Sequence, residues 1–187
     1  MLPDVSRLIH LNGPPGIGKS TLAKRYVDAH PRVLNCDVDV LRGLVGGWEG
    51  DFAGSGALIR PAALAMIRAY LAGGHDVVLP QMLIDPDEVV RFEACATEVG
   101  AQFIERVLMD TPEATVARFH RRGALQPEEP WHDQVRAIVA ASGGDEELTR
   151  CHAALGRLLT VRPNAVLVSS PEGAIDDTYR SFVDSLS

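Results

Sequence analysis

The chain is short of basic charge: 18 Lys and Arg stand against 25 Asp and Glu, a formal net charge of −7. Affinity for DNA or RNA rests on neutralising phosphates with Lys and Arg, so nucleic acid is a poor partner, although a small nucleotide in a local site is not excluded. Long apolar runs are missing too. No segment approaches the ~18 residues needed to cross a bilayer, and the N-terminus, with Pro3 and Asp4, lacks a basic-then-apolar signal pattern. The expectation is a cytoplasmic protein with no membrane partner. Cysteine is sparse: Cys36, Cys95 and Cys151 are odd in number, far apart and form no CxxC pair, which points to reduced core thiols. The histidines form no HxxxH or HExxH pair, so a zinc site has little support. With no internal repeat, low-complexity tract or splitting linker, residues 1–187 read as one domain, long enough to bury its own core.

What is present is strands alternating with amphipathic helices. Residues 8–11 are a short apolar run that ends at Asn12-Gly13, and apolar Leu22, Ala23, Tyr26 and Val27 recur at helical spacing after Lys19. Residues 32–36 read as a second strand, 77–79 as a third, 103–109 as a fourth and 165–168 as a fifth. Between the second and third, pairs from Leu58-Ile59 to Tyr70-Leu71 repeat every four residues until Gly73-Gly74 closes the helix. Asp85-Pro86, Thr111-Pro112 and Ser170-Pro171 share one helix-start grammar: a capping side chain, then proline, then a carboxylate. Strand-then-helix repetition of this kind predicts a parallel sheet with helices on both faces. Residues 122–159 carry no strand pattern and read as a helical insert holding Pro127, Pro130 and Gly143-Gly144.

The sharpest signal is Gly13-Pro14-Pro15-Gly16-Ile17-Gly18-Lys19-Ser20, which fits GxxxxGK[ST] at every fixed position and runs on into Thr21. Glycines let the backbone curl so that successive N–H groups point inward at an anion, and the following helix adds its positive end. Lys19 supplies a point charge for β- and γ-phosphates, and the Ser20 hydroxyl can ligate Mg²⁺. The predicted ligand is ATP or GTP with Mg²⁺.

The second strand ends in Asp37-Val38-Asp39-Val40-Leu41-Arg42. In a doubly wound sheet, ligands sit at the carboxyl ends of strands. A carboxylate there can take a proton from an attacking hydroxyl or hold Mg²⁺ through water. Asp37, directly after the apolar run, is the candidate base; Asp39 and Arg42 are candidate substrate contacts, Arg42 for a phosphate or an acid group. The plainer alternatives are that an aspartate caps the next short helix and that Arg42 lies on a solvated face.

A Walker A loop opening a short chain, an Asp-rich end to the second strand and an Arg-bearing helix before a late insert resemble the small P-loop kinases, such as adenylate, shikimate and gluconate kinases and chloramphenicol phosphotransferase. Val77-Val78-Leu79-Pro80-Gln81-Met82, followed by residues 106–118, resembles more specifically the tunicamycin-resistance ATP-binding proteins. The resemblance implies a five-stranded parallel sheet, an ATP·Mg²⁺ donor, and residues 123–159 as a lid. It places Asp37 where these kinases hold their catalytic or substrate-binding aspartate. One departure is plain: no Asp ends the third strand, and Asp76 precedes it, so metal binding falls to Ser20, water and Asp37, while Gln81 is left as a candidate substrate contact.

Arg118, Arg121 and Arg122 lie at i, i+3 and i+4, on one helical face. Just before the insert, they read as a lid cluster for the charge of phosphoryl transfer, with Arg118 and Arg122 foremost; a solvated face is the alternative. Trp131 and His132 read as packing and surface residues. Residues 46–52, with Trp48, Glu49 and Phe52, lie where such kinases admit their acceptor, and their carboxylates and rings suit a polyhydroxyl or cationic one; a mobile linker with incidental aromatics is the alternative. The leading expectation is a small-molecule kinase for an antibiotic, sugar or nucleoside hydroxyl. A nucleotide-dependent protein that sequesters a ligand is second, and a nucleic-acid end kinase, disfavoured by the charge, is third.

Overall fold

A computed structural model of the chain describes residues 5–125 and 130–186, and their side chains outside 123–132. Five strands form one parallel sheet: β1 (Arg7–Asn12), β2 (Leu34–Asn35), β3 (Val77–Leu79), β4 (Gln102–Met109) and β5 (Val166–Ser169), in the order β2-β3-β1-β4-β5. Strand β1 is central, with Ile9 opposite Val78 on one side and Ile104 on the other.

The central strands are covered on both faces and mainly apolar, with His10, Asn12, Glu105 and Arg106 as buried polar exceptions, while the edge strand β5 is largely exposed. On one face Leu8, Leu79 and Val107 pack with Ile67 of α3 (Phe52–Ala72), Phe92 of α4 (Pro86–Thr97) and Leu155 of α7 (Asp145–Val161). On the other, Ile9, Leu11, Val78 and Leu108 pack with Leu22 and Tyr26 of α1 (Lys19–Ala29) and Phe182 of α8 (Ile175–Asp184). The remaining helices, α2 (Val38–Arg42), α5 (Pro112–Leu125) and α6 (Pro130–Ala141), rim the carboxyl edge of the sheet. No helix among the described residues is long and apolar enough to cross a membrane. The three cysteines are free and buried.

The five-stranded parallel sheet is as the sequence predicted, with three local differences. Strand β2 is two residues long rather than five, because Arg32 turns the chain at φ 73 and the pairing ends as α2 begins. Helix α3 starts at Phe52, ahead of its repeating apolar pairs, because the Asp51 side chain accepts from Gly54 N at 2.8 Å. Ser170 does not open a helix: residues 171–174 turn and α8 begins at Ile175. The Ser170 hydroxyl instead donates to Ile17 O at 3.2 Å. Pro127 lies outside the described residues, as do the side chains of Trp131 and His132.

Candidate functional site

The loop between β1 and α1 has the backbone its glycines allow. Gly13 sits at φ 145, and a Cβ there would lie 2.6 Å from Leu108 O; Gly18 sits at φ 107, with Arg118 Nη2 3.0 Å from where its Cβ would be. Neither place admits a side chain without displacing a neighbour. Lys19 Nζ donates to Gly13 O at 2.8 Å and Pro14 O at 2.9 Å. Burial pushes its ammonium down to about 8, helped by nearby Arg122 and opposed by Asp39 and Asp37.

The loop faces the end of β2. Ser20 Oγ donates to Asp37 Oδ2 at 2.9 Å, while Asp37 Oδ1 accepts from Asp39 N at 3.0 Å and caps α2. Asp37 therefore does cap α2 with one oxygen and is held by Ser20 through the other. Asp39 has no such hydroxyl partner among the described residues. Its carboxyl is raised to about 6, first by burial and then by the charge of Asp37, with Arg42, Lys19 and Arg60 pulling the other way. Arg42 is not on a solvated face: it is 4% exposed, its guanidinium lies 3.8 Å over the Phe52 ring, and Nη1 is 3.6 Å from Asp39 Oδ1. The alternative fails because α2 lays Arg42 against α3, near Gly56, rather than against water.

These groups share one cleft of about 830 Å³. Pro15, Gly16, Gly18, Lys19 and Ser20 form its phosphate-loop wall, opposite Asp37, Asp39 and Arg42. Gln81 and Met82 come from the loop after β3, and Trp48, Glu49 and Phe52 from the segment before and into α3. Arg122, Val139, Leu148 and Cys151 enter from α5, α6 and α7. The predicted residues are not all brought to it. Ile17 is buried in the core beside α1 and α8, and Thr21 lies outside the cleft, on the exposed side of α1 with Lys24 and Arg25. Gly13 and Pro14 meet Lys19 through their carbonyls instead of lining the cleft.

The three arginines of α5 divide. Arg118 is tucked against the phosphate loop, with Nη1 donating to Ser170 O at 3.0 Å. Arg121 turns outward into an ion pair with Glu172, and Arg122 alone lines the cleft. The shared face splits because the loop after β5 draws two of them to Ser170 and Glu172. Asp76 is confirmed at the far end of β3, where it pairs with Arg7 at 2.7 Å. No group of three or more His, Cys, Asp or Glu suited to a metal occurs among the described residues.

Several site groups escaped sequence reasoning. Asn12 accepts from both Gly13 N at 2.9 Å and Leu83 N at 3.0 Å. A polar residue closing an apolar strand just before the glycine loop was a usable signal. Cys151, its thiol pushed up to about 11 chiefly by burial, and Glu147 reach the cleft from α7, and no local pattern marks them.

Residues 8–141 match a known family, the AAA domain. No curated protein matches the sequence. Among solved structures, a gluconokinase from Sinorhizobium meliloti superposes with a TM-score of 0.63 at 16% identity, over 97% of this chain and 92% of that one. A candidate kinase from Chloroflexus aurantiacus superposes with a TM-score of 0.65 at 16% identity, over 98% of this chain and 100% of that one. At such identities the likeness is one of fold.

Proposed function

The chain belongs to the AAA domain family, and on that footing we propose that it is a P-loop phosphotransferase moving the γ-phosphoryl group of ATP to a hydroxyl of a small molecule. The observation that carries the reading is the carboxylate pair at the end of β2, set across one cleft from Lys19, with Asp37 engaged by Ser20 and Asp39 facing the cleft. A nucleotide-binding switch needs the loop; it does not need a second, proton-accepting carboxylate beside it.

The backbone N–H groups of the loop and the N-terminal end of α1 hold the phosphates. Lys19 exchanges its two carbonyl partners for phosphate oxygens. The Ser20 hydroxyl and Asp37 carboxylate, 2.9 Å apart, are the oxygens that would hold Mg²⁺. When bound, Mg²⁺ supplies charge neutralisation between the phosphates. Asp37 is then occupied, and the base role that the sequence suggested for it passes to Asp39. A carboxyl near pH 6 is deprotonated at neutrality yet basic enough to accept a proton. The acceptor hydroxyl gives its proton to Asp39 as its oxygen bonds to the γ-phosphorus; the bond from that phosphorus to the bridging oxygen breaks, and ADP leaves. Arg122 meets the transferred charge from the cleft wall, and Arg118 braces the loop from behind. Of the insert that the sequence marked as a lid, α6 at the cleft rim serves to exclude water, whereas α7 is fixed in the core by Leu155 and Leu158, and residues 126–129 lie outside the described residues. Arg42 and Gln81 contact the acceptor, with Trp48 and Phe52 as its apolar wall.

The acceptor class is an antibiotic, sugar or nucleoside, and the setting is the cytoplasm, where ATP is abundant. The gluconokinase likeness keeps sugar acids in that class without selecting them. The test is a screen of ATP·Mg²⁺ against hydroxylated antibiotics, nucleosides and sugars, read by coupled ADP release. Acceptor-dependent ADP release supports the reading. Tight binding of an acceptor with no release leaves a sequestering protein.

A further inference from the structure

The ladder between β1 and β3 ends with His10 opposite Leu79. Pro80 follows and has no N–H with which to continue it. Two side chains take over. His10 and Asn12 are two residues apart on β1 and so project from one face. His10 Nε2 lies 2.8 Å from Gln81 O. Asn12 Nδ2 donates to Leu83 O at 2.8 Å, and its Oδ1 accepts from Leu83 N at 3.0 Å. The same oxygen accepts from Gly13 N at 2.9 Å. One carboxamide thus ties the first residue of the phosphate loop to the segment that brings Gln81 and Met82 to the cleft.

His10 is fully buried, and burial lowers it to about 4, so it is neutral at pH 7 and Nε2 carries the proton given to Gln81 O. On its other side, Nδ1 is 3.7 Å from Glu105 Oε1. Glu105 Oε2 accepts from Arg162 Nε at 2.9 Å, and Arg162 Nη1 donates to Glu93 at 2.7 Å. Arg162 caps the end of α7, whose first turns reach the cleft through Glu147, Leu148 and Cys151. Arg162 thus ties that helix to Glu105 on β4, while His10 Nδ1 and Glu105 Oε1 make no hydrogen bond with each other. Gln81 Oε1 is itself buried and makes no hydrogen bond among the described residues.

We infer that Asn12 and His10 are positioning residues: they set how far the phosphate loop stands from the Gln81 segment, and so where the acceptor meets the transferred phosphoryl group. The consequence rests on the phosphotransferase reading; the stitching does not. Held in this way, Gln81 stands at the cleft wall.

The experiment compares amide exchange over residues 81–84, and calorimetric ATP·Mg²⁺ binding, in wild type, His10→Leu, His10→Gln and Asn12→Asp. Glutamine carries an N–H at the reach of imidazole Nε2, so His10→Gln keeps the bond to Gln81 O and His10→Leu removes it. In His10→Leu, exchange over 81–84 quickens about ten-fold, the effect of one lost hydrogen bond, while ATP affinity stays within about three-fold. His10→Gln restores protection. Asn12→Asp keeps acceptance from Gly13 and turns an oxygen toward Leu83 O, so the same segment quickens. With an acceptor in hand, His10→Leu raises the acceptor KM and leaves the ATP KM in place. Unchanged exchange in folded His10→Leu, or a His10→Gln no better than His10→Leu, overturns the inference. Should His10→Leu not fold, unchanged exchange in Asn12→Asp overturns it. A wild type that binds no ATP contradicts the phosphotransferase reading alone, because the exchange comparison needs no nucleotide.

Discussion

Replacing Asp39 by asparagine keeps the size of the side chain and removes the charge that the cleft holds at a disadvantage. In the folded chain the Asp39 carboxyl lies at about 6, against an ordinary value of 3.8, because it is largely buried and beside Asp37. A gap of about two pH units corresponds to about 3 kcal/mol at 1.36 per unit. With the side chain 30% exposed, water screens part of that, leaving about 1–2 kcal/mol. A carboxyl raised on folding is protonated in the folded state before it is in the unfolded one. The penalty is therefore absent below about pH 4 and complete above about pH 6. Asp39→Asn should raise the melting temperature at pH 7 by about 3–6 °C, and by nothing at pH 4. Turnover should fall by roughly 10²- to 10⁴-fold, the contribution of a positioned base, with ATP affinity nearly unchanged. In the wild type, kcat/KM for the acceptor should climb through about pH 6 and level off above it. Calorimetric melting at both pH values and ADP release with an identified acceptor decide the matter. A variant that turns over normally refutes the base assignment. If Asp37→Asn instead loses turnover with Mg²⁺ binding intact, the base is Asp37.

Four further outcomes follow from the site. Lys19→Ala abolishes the thermal stabilisation given by ATP·Mg²⁺ and leaves the circular dichroism spectrum of the free protein in place. For the wild type, calorimetric ATP affinity falls as pH rises past about 8, where Lys19 loses its charge. Asp37→Asn shifts the Mg²⁺ titration of nucleotide binding to higher metal, because Ser20 loses its carboxylate partner. Arg122→Ala lowers turnover by about 10²-fold with little loss of ATP binding, whereas Arg121→Ala, which breaks only an outward pair with Glu172, leaves turnover within about two-fold.

The strands were legible because a parallel sheet covered on both faces forces mainly apolar runs, as at Leu8, Ile9 and Leu11, broken only by His10. The phosphate loop was legible because a nest of backbone N–H groups needs glycines at fixed spacing, and Gly13 and Gly18 sit at left-handed φ values. Aspartates at the end of β2 were visible, but their division was not: which oxygen Ser20 takes depends on how α1 faces β2. Helical spacing put Arg118, Arg121 and Arg122 together, yet their partners, Ser170 and Glu172, come from about 50 residues downstream. Ser170 itself was read as a cap, since its tertiary bond to Ile17 outweighs a local signal that looks the same in sequence. His10, Glu105 and Arg162 left no trace, because buried polar partners on separate elements carry no periodicity.

The most direct measurement of phosphoryl transfer is the mass of the acceptor after incubation with ATP·Mg²⁺ and each protein. On the phosphotransferase reading, wild type adds one phosphoryl group to the acceptor for each ADP released, and Lys19→Ala adds none. An acceptor that binds wild type tightly, in the presence of bound ATP, and is recovered without added mass contradicts it.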